Sequence, residues 1–154
     1  MKKIISAFIL LTGTVLSGCK DSDTVPEIAV CPSGVYKVET TTLSLYNHGE
    51  WNNTSADIIL IRSEADYEKY AIEDRDSFPK IDFNENTLVL IQSEPSSGVF
   101  LRSISMGKWE DRLSYLVIAE IQQTAACVMT QWKAALLAPA IPEEAEVTLS
   151  VIQI

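Results

Sequence analysis

One histidine, three cysteines and 21 acidic residues set the chemistry open to this chain. His48 lies in Asn47-His48-Gly49, residue types that form turns. As a general base it would need a serine or cysteine nucleophile within reach and a third group to orient it. No nucleophile signature surrounds any candidate, so His48 reads as an exposed turn residue. Glu73-Asp74, Asp76 and Glu143-Glu144 offer paired carboxylates of the kind a hydrolase uses, but charged runs in loops are ordinarily solvated surface. Asp74-Arg75-Asp76 and Asp82-Asn84-Glu85 offer oxygen ligands for calcium, yet neither has the spacing of a dedicated loop. The expectation is no catalytic set, no metal and no cofactor.

Binding is better supplied than catalysis. Trp51, Trp109 and Trp132 stand in or beside turn-like sequence, and exposed aromatics anchor interfaces. Trp109 falls in the connection Gly107-Lys108-Trp109-Glu110, where an outward ring is expected, whereas Trp132 is expected in the core. Pro95-Ser96-Ser97-Gly98 is a turn ahead of a strand and resembles the proline-threonine-glycine loops of chagasin-like cysteine-protease inhibitors. The formal charge is −9, and no Lys/Arg cluster exists to displace the counterions of a polyanion, so nucleic-acid binding is excluded.

Residues 1–18 read as an export signal. Lys2-Lys3 form a positive start, and Ile4 to Val15 an apolar run too short for a membrane-spanning helix, which needs about 20 residues. Leu16-Ser17-Gly18-Cys19 then resembles the lipobox of bacterial lipoproteins, in which cleavage leaves the cysteine as the lipidated first residue. Loss of Lys2 and Lys3 with the signal takes the formal charge from −9 to −11. Residues 19–30, with Lys20-Asp21-Ser22-Asp23-Thr24-Val25-Pro26-Glu27, read as the lipidated cysteine and a flexible acidic tether. An acidic run at this place is similar to signals that send some Gram-negative lipoproteins to the cell surface. The implied address is the cell envelope, lipid-anchored at the outer membrane, on either its periplasmic or its outer surface. Cys31 and Cys127 remain. In an oxidising compartment they point to one disulfide, stabilising by up to about 4.7 kcal/mol on the chain-entropy model. Two free or buried thiols are the alternative.

The elements that position these residues form one domain over 31–154. With 47% hydrophobic residues, and Gly and Pro at 6 each, the chain has the apolar mass for a core and none of the bias of disorder. Val35 to Tyr46 has strand composition. Asp57 to Arg62 and Thr87 to Gln92 are continuous apolar runs of the buried-strand type. Ser63 with Asp66 approximates a capping box and opens a short helix through Ala71. Val99–Met106 and Leu113–Ile121 form a hairpin. In the first of these, Val99, Leu101, Ser103 and Ser105 alternate with Phe100, Arg102, Ile104 and Met106, and neither set is wholly apolar. Cys127–Leu137 and Val147–Ile154 complete the set, the last a candidate edge strand. The fold class is α+β, mainly antiparallel β, with six to seven strands and one short helix.

Several segments, in this order, resemble the C-terminal domain of the PrcB family of protease-complex subunits. They are Ile61-Arg62-Ser63 with Asp66-Tyr67-Glu68-Lys69-Tyr70, then Ile81-Asp82-Phe83 and Leu88-Val89-Leu90-Ile91. Pro95-Ser96-Ser97-Gly98, Cys127-Val128-Met129-Thr130-Gln131 and Ala140-Ile141-Pro142 follow, so that the resemblance covers about 58–154. The family's turn reads Pro-Thr-Gly-Gly and then an aromatic residue. Here one glycine is lost and the aromatic, Phe100, is displaced by one position. The resemblance implies a membrane-anchored, non-enzymatic interaction module that assists or stabilises an envelope or cell-surface protease complex. Its partner would be a secreted or surface protease, met through Pro95, Ser96, Ser97, Gly98 and Trp109. A protease inhibitor on the same scaffold is the alternative, and an enzyme of unknown type ranks below it.

Overall fold

The computed structural model describes residues 31–43, 58–70 and 79–154. Ten strands and one helix occur among them: β1 Val35–Val38, β2 Thr41–Leu43, β3 Ile58–Ile61, α1 Glu64–Tyr70, β4 Asn86–Gln92, β5 Ser96–Ser97, β6 Val99–Trp109, β7 Ser114–Gln123, β8 Met129–Thr130, β9 Lys133–Pro139 and β10 Glu146–Gln153. The fold is α+β and mainly antiparallel β. Two four-stranded sheets, in orders β1-β6-β7-β10 and β2-β9-β4-β3, face each other, and β5 pairs with β8 in a separate ribbon. Every strand pair is antiparallel except β10 with β7.

The β2-β9-β4-β3 sheet is covered on both faces over β4 and its neighbours, which is why β3 and β4 read as unbroken apolar runs. Ile58, Leu60, Val89, Ile91, Leu136 and Ala138 point to the other sheet. Ile59, Ile61, Leu88, Leu90 and Ala135 point the opposite way, onto Tyr67 and Tyr70 of α1 and onto Phe83. Burial of these large side chains stabilises the fold by about 1.5–3 kcal/mol each. The helix starts at Ser63, whose Oγ accepts the Asp66 N–H at 3.1 Å and donates to the Asp66 carboxylate at 2.9 Å. This is the serine half of a capping box: Asp66 takes the Ser63 hydroxyl in place of the reciprocal bond to the Ser63 backbone N–H. Arg62, one residue earlier, donates to the carbonyls of Ile141 and Pro142 and ties the approach to β10 to the end of β3.

In β6 the alternation changes phase. The β6–β7 register slips between Leu101 and Ser103, a bulge that leaves Arg102 as the extra residue. A one-residue slip exchanges the faces of a strand. Val99 and Leu101 before the bulge, and Ile104 and Met106 after it, therefore all join the core. Two long segments also divide. Val35–Leu43 contributes β1 to one sheet and β2 to the other. Cys127–Leu137 splits into β8 and β9 at Trp132, which is buried in the core. The Trp132 N–H and carbonyl are taken by the Oγ and N–H of Ser93, at 3.1 and 3.0 Å.

Candidate interaction surface

Segments about thirty residues apart in the chain meet in the β5–β8 ribbon. Ser96 lies opposite Thr130, and Ser97 opposite Met129. Gly98 fastens this ribbon to the start of β6. Its φ is +65°, a conformation that favours glycine. A Cβ there would stand 2.5 Å from the Thr124 carbonyl oxygen and 2.7 Å from that of Ala126. The close approach is used: the Gly98 N–H donates to the Val128 carbonyl at 3.1 Å, and its own carbonyl accepts the Thr124 N–H at 2.8 Å. The Thr130 hydroxyl lies 3.2 Å from the Ser96 carbonyl oxygen and 2.9 Å from that of Val99, spanning the join. Gln131 Nε2 reaches the Ser93 carbonyl at 2.8 Å.

The ribbon presents apolar side chains to water. Val128 is 66% exposed and Met129 62%, with Ser97 Oγ 3.3 Å from the Met129 sulfur. Phe100, the displaced aromatic, is 46% exposed while its neighbour Val99 packs inward. The turn thus has one positive-φ glycine, Gly98, with an aromatic on the outward side. Sequence reasoning placed Pro95–Gly98 on a surface turn but missed Val128 and Met129, because Cys127–Leu137 read as one strand. The resemblance at Cys127-Val128-Met129-Thr130-Gln131 marked the segment without indicating which of its side chains face solvent.

Other anticipated site residues lie elsewhere. Trp109 ends β6, nine residues beyond Phe100 and on the order of 30 Å away. Its ring is half-buried under the Arg112 guanidinium, 4.1 Å from the centroid. The structure thus does not bring Trp109 and Pro95–Gly98 into one patch. At that same far end, Tyr36 is raised above its usual pKa by a hydrogen bond with Glu110, then by desolvation and by the Glu110 charge. The disulfide expected from the sequence is not formed: Cys31 and Cys127 are both free thiols. Cys31 sits against Gly107, late in β6, whereas Cys127 adjoins the Gly98 end. The run of β6 between them is far longer than the roughly 7 Å that a disulfide spans between Cα atoms.

Asp82 Oδ1 accepts the Asn84 N–H at 3.0 Å and its Nδ2 at 2.9 Å, an Asx turn that starts β4. Ser103 donates to Glu120 across the β6–β7 pair. Among the described residues, no group of three or more His, Cys, Asp and Glu side chains could hold a metal. None of their helices is long and apolar enough to cross a membrane. Cys19, His48, Trp51, Glu73 and the Asp74-Arg75-Asp76 run lie outside the described residues, as do the export signal and tether. No family model, curated protein or solved structure matches the chain.

Proposed function

We propose that this protein is a lipid-anchored, non-enzymatic interaction module of the cell envelope that supports a protease complex, and that it meets its partner through the β5–β8 ribbon. One observation carries the reading. Pro95–Gly98 and Cys127–Gln131, the two most particular segments of the PrcB resemblance, pair with each other and hold Val128 and Met129 out to solvent. Exposed apolar side chains on a hydrogen-bonded platform are preorganised for a protein surface, because little ordering entropy remains to be lost on binding. Anchoring would come from Cys19, with the tether setting the distance from the bilayer.

The test is crosslinked capture of the lipidated protein from its native envelope, with partners identified by mass spectrometry. A secreted protease, or a subunit that processes one, recovered in stoichiometric amount supports the reading. Val128→Glu and Met129→Glu should each lower that recovery at least tenfold and leave the unfolding midpoint unchanged. Full recovery with both variants removes the ribbon as the binding surface. Dose-dependent inhibition of a purified protease, with no stable co-complex subunit, would favour the inhibitor alternative instead.

A further inference from the structure

Among the described residues, strand β10 is an edge of its sheet, and its sequence lacks the usual safeguards of an edge. Such strands are commonly kept short, or carry Lys, Pro or a bulge, because their unpaired N–H and C=O groups template another strand. The edges β1, β2 and β3 have four, three and four residues, and Lys37 lies in β1. β10 has eight residues, Glu-Val-Thr-Leu-Ser-Val-Ile-Gln, with neither Pro nor Lys and a single charge, Glu146, at its start. Val151, Ile152 and Ile154 are exposed along it.

The direction of its hydrogen bonds is fixed by its two ends. Glu146 N–H donates to the Leu113 carbonyl and Ile154 N–H to that of Ile121. In a parallel pair the bonding side alternates residue by residue. The even-numbered residues therefore bond to β7, and Val147, Leu149, Val151 and Gln153 turn their backbone groups to the open side.

We infer that β10 is the seam of a two-fold dimer, in which β10 of a second copy pairs with it antiparallel and joins two four-stranded sheets into one of eight. The register follows from charge and polarity. Centring the axis on Val151 opposes Leu149 to Gln153, Ser150 to Ile152 and Thr148 to Ile154 of the second copy. All three exposed apolar residues then fall inside the seam, and Glu146 falls outside it, so no like charges are opposed. The open backbone groups of Leu149, Val151 and Gln153 all find partners. A seam of seven residues is about 24 Å long, and with its flanking side chains it buries on the order of 1,000 Å² in total. That is the lower end for a specific interface, so association is weak and concentration-dependent. β3, the edge of the other sheet, packs against β10 and lies on the same side of the sandwich.

The full chain in mild detergent, followed by light scattering over roughly 1–300 μM with the micelle's contribution subtracted, should pass from one mass to twice that mass. Val151→Lys should move the midpoint at least tenfold upward in concentration without changing the thermal unfolding midpoint. Val151→Cys, at the axis, should form a disulfide-linked dimer on mild oxidation, since directly opposed Cα atoms stand about 5.5 Å apart. Thr148→Cys should not exceed the wild-type background, because its two copies would be about 20 Å apart. A single monomer mass at every concentration overturns the inference. So does equal crosslinking by the two cysteine variants, or aggregation without a discrete dimer. None of these readouts depends on the ribbon or its partner, and Val128→Glu should leave the dimer unchanged.

Discussion

Gly98 and Gly34 both have positive φ, +65° and +81°, but only one of them is crowded. A Cβ at Gly34 would meet nothing within 4 Å, whereas one at Gly98 would strike the Thr124 and Ala126 carbonyl oxygens at 2.5 and 2.7 Å. Placing alanine in the left-handed region costs about 1–2 kcal/mol at either site, and the gain from a stiffer unfolded chain is common to both. Gly34→Ala therefore isolates the conformational cost. Gly98→Ala adds the overlap with two backbone oxygens that no side-chain rotation can relieve, worth about 1–3 kcal/mol.

Relief by withdrawing the loop would break the bonds between Gly98 and both Thr124 and Val128, at about 1 kcal/mol each, so it offers no cheaper route. The expected excess of Gly98→Ala over Gly34→Ala is about 2 kcal/mol. In urea, at a slope of about 1–3 kcal/mol/M, that is a midpoint lower by about 1 M. Hydrogen exchange should quicken at the Gly98 and Thr124 amides in Gly98→Ala and stay unchanged there in Gly34→Ala. Equal midpoints for the two variants would refute the reasoning, since the crowding at Gly98 would then have no energetic weight.

At Gly107 a Cβ would overlap Val35 Cγ1 and stand 3.0 Å from the Tyr36 carbonyl oxygen. Gly107→Ala should cost about 2 kcal/mol, and Val35→Ala in the same chain should recover about 1 kcal/mol of it in a double-mutant cycle. Ser63→Ala should cost about 1 kcal/mol by removing the helix cap. Asp66 is held below its ordinary value of 3.8, first by its hydrogen bond with Lys69 and then by Ser63. A depressed carboxylate stabilises above its unfolded pKa and ceases to do so as pH falls through its folded one. The gap between wild type and Asp66→Asn, read from urea midpoints, should therefore close below about pH 4. Burial, then the charge of Glu64, pushes the Tyr67 hydroxyl up to about 12. Its neutral form is favoured in the fold, so stability should decline from pH 10 towards 12, less steeply in Tyr67→Phe, as thermal midpoints would record. Arg62→Lys loses a two-pronged grip on the Ile141 and Pro142 carbonyls. It should cost about 1–2 kcal/mol in urea unfolding, because an ammonium cannot reproduce the guanidinium fork.

What the sequence discloses depends on how local each cause is. Ile58–Ile61 and Leu88–Ile91 were legible as buried strands because a sheet covered on both faces needs apolar residues at every position, and the run itself is the signal. The Ser63–Asp66 cap was legible for the same reason, since both partners lie within one helical turn. Val99–Met106 was legible as a strand paired with Leu113–Ile121, but its inward face was not. The bulge at Arg102 carries neither Gly nor Pro, and its cause is a register set by β7. The division of Cys127–Leu137 at Trp132 was hidden too, because the group that holds Trp132 is Ser93, 39 residues away. The parallel placement of β10 beside β7 leaves no local mark at all. At the candidate site, Pro95–Gly98 announced a turn through its residue types, whereas the exposure of Val128 and Met129 follows from a pairing that no short window contains.

The ribbon's attachment explains how the proposed binding surface can be carried without either hydrophobic core depending on it. The two sheets and α1 supply both hydrophobic cores, and no residue of β5 or β8 belongs to either. The ribbon is held instead by polar contacts at a few points: the Gly98 backbone, the Thr130 hydroxyl and, beside it, the latch between Ser93 and Gln131. Each is worth about 1 kcal/mol, so the ribbon can open without unfolding the sandwich, and an opening of this kind costs far less than global unfolding. Its outward side chains, Val128 and Met129, are therefore free to vary in chemistry, while Gly98, Thr130 and Ser93 are constrained by geometry. Under the proposed function, substitutions at the first pair should act on binding, whereas those at the other three should act on the order of the platform itself. A ribbon variant that loses its partner with an unchanged midpoint, and a Gly98 variant that loses both, would be two signatures of one mechanical arrangement.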